Sequence, residues 1–240
     1  MSSEIIFRSD PSVDLVSHVG SDASVVAAAR VSVVGAEAEQ YEQADAAEHT
    51  GLIRYLMSHR HGTPFEHCSM TFRIEAPIFV FREWHRHRVG WSYNEMSGRY
   101  SQLEPVFHVP ASDRPLVNVG SSARPVMRPG SPEQYERLKH RMEMTYWRAY
   151  TQYLSSLQDG IAKEVAREVL PVGIYSTMYA TANARSIMNF LSLRVEDADA
   201  AYPSKPQYEI EQAALLLEEH FAEHFPITYA AFVTAGRVAP

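Results

Sequence analysis

Cysteine is nearly absent from this 240-residue chain, with Cys68 alone, so no internal disulfide framework exists. Lysine is almost as scarce. Of the 22 Lys+Arg residues only Lys139, Lys163 and Lys205 are lysines, so 19 are arginines. Long apolar runs are missing too. The longest unbroken one near the middle, Pro77 to Phe81, falls far short of the ~20 residues a membrane span requires. Residues Met1 to Asp10 lack the basic, apolar and small-residue order of a secretory signal. These absences point to a reducing cytoplasm. The net charge of −7 argues against nucleic acid held by a global basic field. There is no GxGxxG, no Walker loop and no GxSxG elbow, so the common dinucleotide, nucleoside-triphosphate and hydrolase readings have no foothold.

What is present is an ordinary globular composition, 45% hydrophobic and 21% charged, which excludes disorder across the chain. A compact body of this mass buries roughly 70% of its unfolded surface. A short opening strand is expected at Ile5 to Arg8, then helices from Asp22 to Ser32 and from Asp45 to Arg60, the latter stopped by His61-Gly62-Thr63-Pro64. Cys68, Met70, Phe72, Ile74 and Ala76 alternate with polar residues, the period of a half-buried strand. Pro77 ends it, and Ile78 to His87 reads as a short helix whose last turn delivers Arg86, His87 and Arg88. Val106 to Gly130, rich in proline, reads as a surface excursion. Ser131-Pro132-Glu133-Gln134 combines an N-cap, a first-turn proline and a capping-box glutamine, and opens a long helix to Gly160. Further helices are expected from Ile161 to Leu170, from the cap Asn183 to about Leu193, and after Ser204 to Gln207. With no repeat or linker, a single α+β domain over residues 1–240 is the economical model, a mixed or antiparallel sheet flanked by long helices.

Position makes the arginines informative. Arg82, Arg86, Arg88 and Arg99 lie within eighteen residues that also hold His85 and His87, and guanidinium forks suit anionic ligands. Ser97, Gly98 and Arg99 offer a hydroxyl, a backbone without a Cβ and a fork, the makings of a phosphate cradle; a solvated polar loop would read the same way. Glu95 can accept from a sugar hydroxyl or a ring N–H. On the helix after Asn183, Arg185 and Asn189 lie about 40° apart on one face. Arg194 falls beside Ile187, Phe190 and Leu191 on the apolar face, where it must find a partner or snorkel to water. Arg167, taken alone, reads as an exposed helix charge. His59, His61, His67, His85 and His87, with Glu66, invite a metal reading, although their spacing matches no closed zinc pattern. Cys68 reads as a buried structural thiol.

The stretches AARVS (Ala28 to Ser32), HGTPFEH (His61 to His67), PIFVFREWHRHR (Pro77 to Arg88), SYNEMSGRY (Ser92 to Tyr100), AREVLP (Ala166 to Pro171) and NARSIMNFLSLR (Asn183 to Arg194) occur in one order. In that order the chain resembles the flavin-dependent thymidylate synthases. The resemblance implies FAD held by Ser32, Thr63, Glu66, Arg86, His87, Arg88, Asn183, Arg185 and Asn189, with Glu95 shared between cofactor and substrate. It implies deoxyuridylate (dUMP) on Glu95, Met96, Ser97, Gly98 and Arg99, completed by Arg167, Arg194 and the neighbourhood of Glu83 to Arg86. NADPH and 5,10-methylenetetrahydrofolate are the implied co-substrates. Arg194 would act at the pyrimidine edge, Ser97 would orient substrate rather than attack it, and His61 and His87 would contribute folate or flavin contacts. A homotetramer sharing its sites between subunits is implied as well. A flavin or nucleotide sensor without turnover and a histidine-metal hydrolase are the competing readings. Two features depart from the family's commonest pattern: Val89, Gly90 and Trp91 put three residues, not two, between Arg-His-Arg and the next serine, and Glu83 stands where glutamine is frequent.

Overall fold

The computed structural model describes residues 4–43, 46–122 and 124–240. Its strands are β1 (Ile6–Arg8), β2 (Ser12–Val19), β3 (Ser69–Pro77), β4 (Trp91–Glu95), β5 (Val106–His108), β6 (Val117–Asn118), β7 (Met127–Arg128) and β8 (Tyr175–Asn183). Its α-helices are α1 (Asp22–Val34), α2 (Ala46–Ser58), α3 (Ile78–Trp84), α4 (Pro132–Gln158), α5 (Lys163–Ala166), α6 (Ala184–Arg194), α7 (Tyr208–His224) and α8 (Pro226–Thr234). The class is α+β with antiparallel pairing in the main sheet, whose strand order is β2-β3-β8-β4. The chain resolves into two compact units, each assembled from discontinuous stretches.

The first unit comprises Met1–Pro11, Glu75–Glu83 and Glu95–Met178. Its core packs the α4 residues Tyr146, Tyr150 and Tyr153 on Phe107, Leu103 and Ile174. The Phe107 and Tyr146 rings stack with centroids 4.7 Å apart. The capping box of α4 forms as its sequence demands: the Gln134 amide donates to Ser131 Oγ at 3.2 Å, and the Ser131 amide to Gln134 Oε1 at 2.7 Å. Here the expected excursion is corrected at its start. Val106–His108 is a strand paired in parallel with β1, because Phe107 is an apolar anchor with no exposed area. The rest of that stretch carries the small β6–β7 hairpin. The helix expected over 161–170 divides into α5 and a 3-10 turn, Arg167–Val169, before Pro171.

The second unit comprises Ser12–Ile74, Trp84–Asn94 and Tyr179–Pro240. Its core gathers Val25, Ile53, Phe65, Phe72, Trp84, Phe190, Phe221 and Phe232, each without exposed surface. Cys68 is buried, as its place in the alternation requires, and burial pushes its thiol up to about 11. Asn183 caps α6, its side chain accepting from the Ser186 amide at 2.9 Å. The expected helix Ile78–His87 stops at Trp84, so His85 to Arg88 follow in a turn and open chain rather than a last helical turn. No helix among the described residues is long and apolar enough to cross a membrane.

Candidate active site

In the second unit a cleft of about 480 Å³ is lined by Glu66, Arg86, His87, Arg88, Asn183, Arg185 and Asn189, with Val89, Gly90, Trp91 and Ser186 between them. Glu66 and two longer stretches, 86–91 and 183–189, build it, and Gly90 is where those two dock. Its φ is +69°, and a Cβ there would lie 2.1 Å from Ser186 Oγ, so only glycine permits the approach. Ser186 Oγ then donates to the Val89 carbonyl at 2.9 Å. Three guanidiniums and three amide or imidazole groups against one carboxylate make a donor-rich wall. That set fits an anionic, hydrogen-bonding cofactor such as a flavin dinucleotide.

Below this wall lies an aromatic stack. Trp84 lies against Phe190 at 4.6 Å, and the His87 ring meets Phe190 edge-on at 4.9 Å. Tyr93 donates its hydroxyl proton to the His87 carbonyl at 2.5 Å, and burial raises its phenol well above the usual range. Arg194, on the apolar face of α6, has its partner: its Nε–H donates to His87 Nε2 at 2.9 Å. Burial, then the neighbouring Arg194 charge, lowers His87 to about 4. The imidazole is therefore neutral at pH 7, with its own proton on Nδ1.

The first unit holds a second cleft, about 310 Å³, lined among others by Arg82, Glu95, Met96, Gly98, Glu164, Arg167 and Glu168, over Ile78, Leu103 and Leu170. Arg167 is thus a cleft residue rather than a mere exposed helix charge. Gly98 lines this cleft, and its missing side chain also serves the cleft's own packing. A Cβ there would stand 3.1 Å from Leu103 Cδ1 and 3.2 Å from Arg167 Cδ, so the missing side chain makes room for the cleft's own arginine. The Arg99 fork is already engaged, Nε to Glu164 Oε2 at 2.8 Å. Ser97 Oγ accepts from the Arg99 amide at 3.3 Å, tightening the turn.

A family model described as thymidylate synthase complementing protein matches residues 14–227. Flavin-dependent thymidylate synthases of Streptomyces avermitilis and Streptomyces coelicolor are 54% and 52% identical to this chain, over 98% and 99% of it and 95% and 96% of their own lengths. The chain belongs to the flavin-dependent thymidylate synthase family. Among solved structures, the UMP/dUMP methylase PolB of Streptomyces cacaoi, bound with 5-Br UMP, matches at TM-score 0.90 and 45% identity, covering 98% of this chain and 99% of that one.

Against the pattern that this thymidylate synthase family implies, the structure gathers seven expected residues in one cleft and Glu95, Met96, Gly98 and Arg167 in the other. Others lie elsewhere. Ser32 is exposed on α1, its Oγ donating to the Ala29 carbonyl at 3.0 Å. Thr63 is exposed at the start of the 3-10 turn Thr63–Glu66. His61 is exposed against the Tyr55 ring, centroids 5.8 Å apart. Glu83 is on α3 and, like Ser97 and Arg99, lines neither cleft. Glu164 and Glu168, not among the expected site residues, do line one; Glu168 falls inside the AREVLP stretch beside Arg167, whereas Glu164, two residues before that stretch, has no motif to mark it. Among the described residues no three His, Cys, Asp or Glu side chains stand close enough to share a metal ion.

Proposed function

We propose that this chain is a flavin-dependent thymidylate synthase that methylates C5 of the uracil ring of deoxyuridine monophosphate. The one-carbon unit comes from 5,10-methylenetetrahydrofolate and the reducing equivalents from NADPH through FAD. The observation that carries the reading is the donor-rich cleft built from Glu66, the Arg86–Arg88 stretch and the first turns of α6, in a chain of this family.

When bound, the flavin supplies hydride. Everything else is work for the protein. Arg86, Arg88 and Arg185 set permanent positive charge toward cofactor phosphates, while Asn183 and Asn189 add amide donors. In the other cleft Arg82 and Arg167 hold an anionic group above an apolar floor suited to a flat ring, with Glu95 accepting from a hydroxyl or ring N–H. Ser97, Gly98 and Arg99 orient the nucleotide, Arg99 exchanging Glu164 for phosphate.

Arg194 acts on the pyrimidine edge. The neutral His87 fixes the direction of its guanidinium. A held cation in a water-poor site stabilises the negative charge that develops on the ring as N3 ionises. His61 contributes to folate or flavin contacts. The working assembly is a homotetramer with sites drawn from several subunits, in the cytoplasm; the family resemblance and the lone, buried Cys68 support this.

The deciding experiment is a thymidylate-formation assay on the purified protein. It is yellow, bleaches with NADPH, and converts deoxyuridylate only when the folate is added. A yellow protein without turnover would make it a sensor, and a colourless protein carrying stoichiometric metal would make it a hydrolase.

A further inference from the structure

Two segments remote in sequence from α6, Gly62–Glu66 and the stretch ending at Pro240, meet at the Arg185 guanidinium. Nη1 donates to Glu66 Oε1 at 2.6 Å, and Nε donates to the Pro240 carbonyl oxygen at 2.7 Å. Gly62 closes the third side. A Cβ placed there would stand 2.5 Å from Arg185 Nε, 2.6 Å from its Cζ and 2.9 Å from the Pro240 oxygen. The Gly62 backbone, φ −77° and ψ −30°, is one any residue adopts. Glycine is therefore needed here for space, not for conformation.

The chain that brings Pro240 to this place is itself anchored. The Ala201 amide donates to the Gly236 carbonyl at 2.9 Å. Arg237, only 6% exposed, donates from Nη1 to Glu218 Oε1 at 2.7 Å and lies over the Phe232 ring. Pro240 is buried, whereas the Arg185 side chain keeps 40% of its surface and lines the cleft. The contacts hold the arginine without covering it. A long, flexible side chain already fixed in place gives up little freedom when an anion arrives, which is the source of affinity in preorganised sites.

We propose that Gly62 and the Pro240 carbonyl are positioning elements of the cofactor cleft. Together with Glu66 they form a clamp that presets Arg185 for the diphosphate of the flavin dinucleotide. The proposal rests on the flavin reading of that cleft and extends it to Gly62 and to the segment after α8, neither of which is among the cleft's lining residues.

The test uses Gly62→Ala and a deletion of residues 238–240, which leaves the Arg237–Glu218 pair in place. Apoprotein is titrated with FAD by fluorescence quenching, and its melting temperature is taken without flavin. Both variants bind FAD about tenfold or more weakly, while apoprotein melting stays near that of the parent. FAD affinity within about twofold of the parent in both variants, whatever happens to melting, would overturn the clamp. Arg185→Ala separates the two levels of the claim. If it loses FAD while the clamp variants do not, only the clamp falls; if it binds FAD as the parent does, the flavin reading of the cleft falls and the clamp with it.

Discussion

The Nε–H of Arg194 points at Nε2 of His87, 2.9 Å away, and an imidazole nitrogen accepts such a bond only while it is unprotonated. One hydrogen bond thus ties the direction of the proposed catalytic guanidinium to the protonation state of a ring that lines the donor-rich cleft. Each end constrains the other. A protonated His87 would set two cations face to face, which is why Arg194 adds to burial in lowering that group.

Acid sensitivity follows, with a definite sign. His87 protonates near its ordinary value of about 6.5 in the unfolded chain but only at about 4 when folded. Between those values the unfolded state binds more protons, so the stability that the neutral ring contributes is present above pH 6.5 and is lost as pH falls toward 4. Melting temperatures of the parent and of His87→Asn should converge over this window as acid is added. Parallel curves would show that His87 is not the group responsible.

Arg194→Ala is expected to keep its flavin and lose turnover. Removing one preorganised charge-stabilising donor costs on the order of 10²–10³ in kcat, and the cleft proposed to hold the flavin does not include Arg194 among its walls. Absorbance of the bound flavin and single-turnover thymidylate formation measure the two effects separately; unaltered kcat would remove Arg194 from the chemistry.

Asp22 carries a stability prediction. Its buried carboxylate accepts from the Ile227 amide at 2.8 Å, from the Thr228 amide at 2.9 Å and from Thr228 Oγ1 at 2.6 Å, capping α8 from a helix some two hundred residues earlier. Asp22→Ala leaves those donors without an acceptor, at a cost of about 2–4 kcal/mol, read from the urea midpoint at unchanged slope.

The thiol of Cys68 should be inert. It is 2% exposed and pushed up to about 11 by burial, so little thiolate exists at pH 8. Iodoacetamide should leave the native protein unmodified by mass and label it stoichiometrically in denaturant. Rapid native alkylation would contradict the buried placement.

Legibility from sequence tracked the strength of the local signal. The strand Ser69–Pro77 declares itself because Met70, Phe72 and Ile74 are large and alternate with polar neighbours. Its partner Tyr175–Asn183 alternates just as well, with Ser176, Met178, Ala180 and Ala182 buried. Serine and alanine carry almost no hydrophobic contrast, so that central strand is silent in the sequence. The helix after Pro77 looks longer than it is because His85 to Arg88 continue a helix-compatible pattern, while the docking of Gly90 on Ser186 pulls the chain into a turn.

Local chemistry, which the order of residues contains in full, determined the caps at Ser131 and Asn183, the alternating strand, the buried thiol and the motifs that mark the family. Partnerships between remote side chains were decided only on folding. Nothing along the chain says that Arg194 meets His87, that Asp22 caps Pro226–Thr234, or that Gly62 is empty to admit Arg185. Such contacts depend on where the packed helices and strands bring their ends, and short-range periodicity carries no information about those distances.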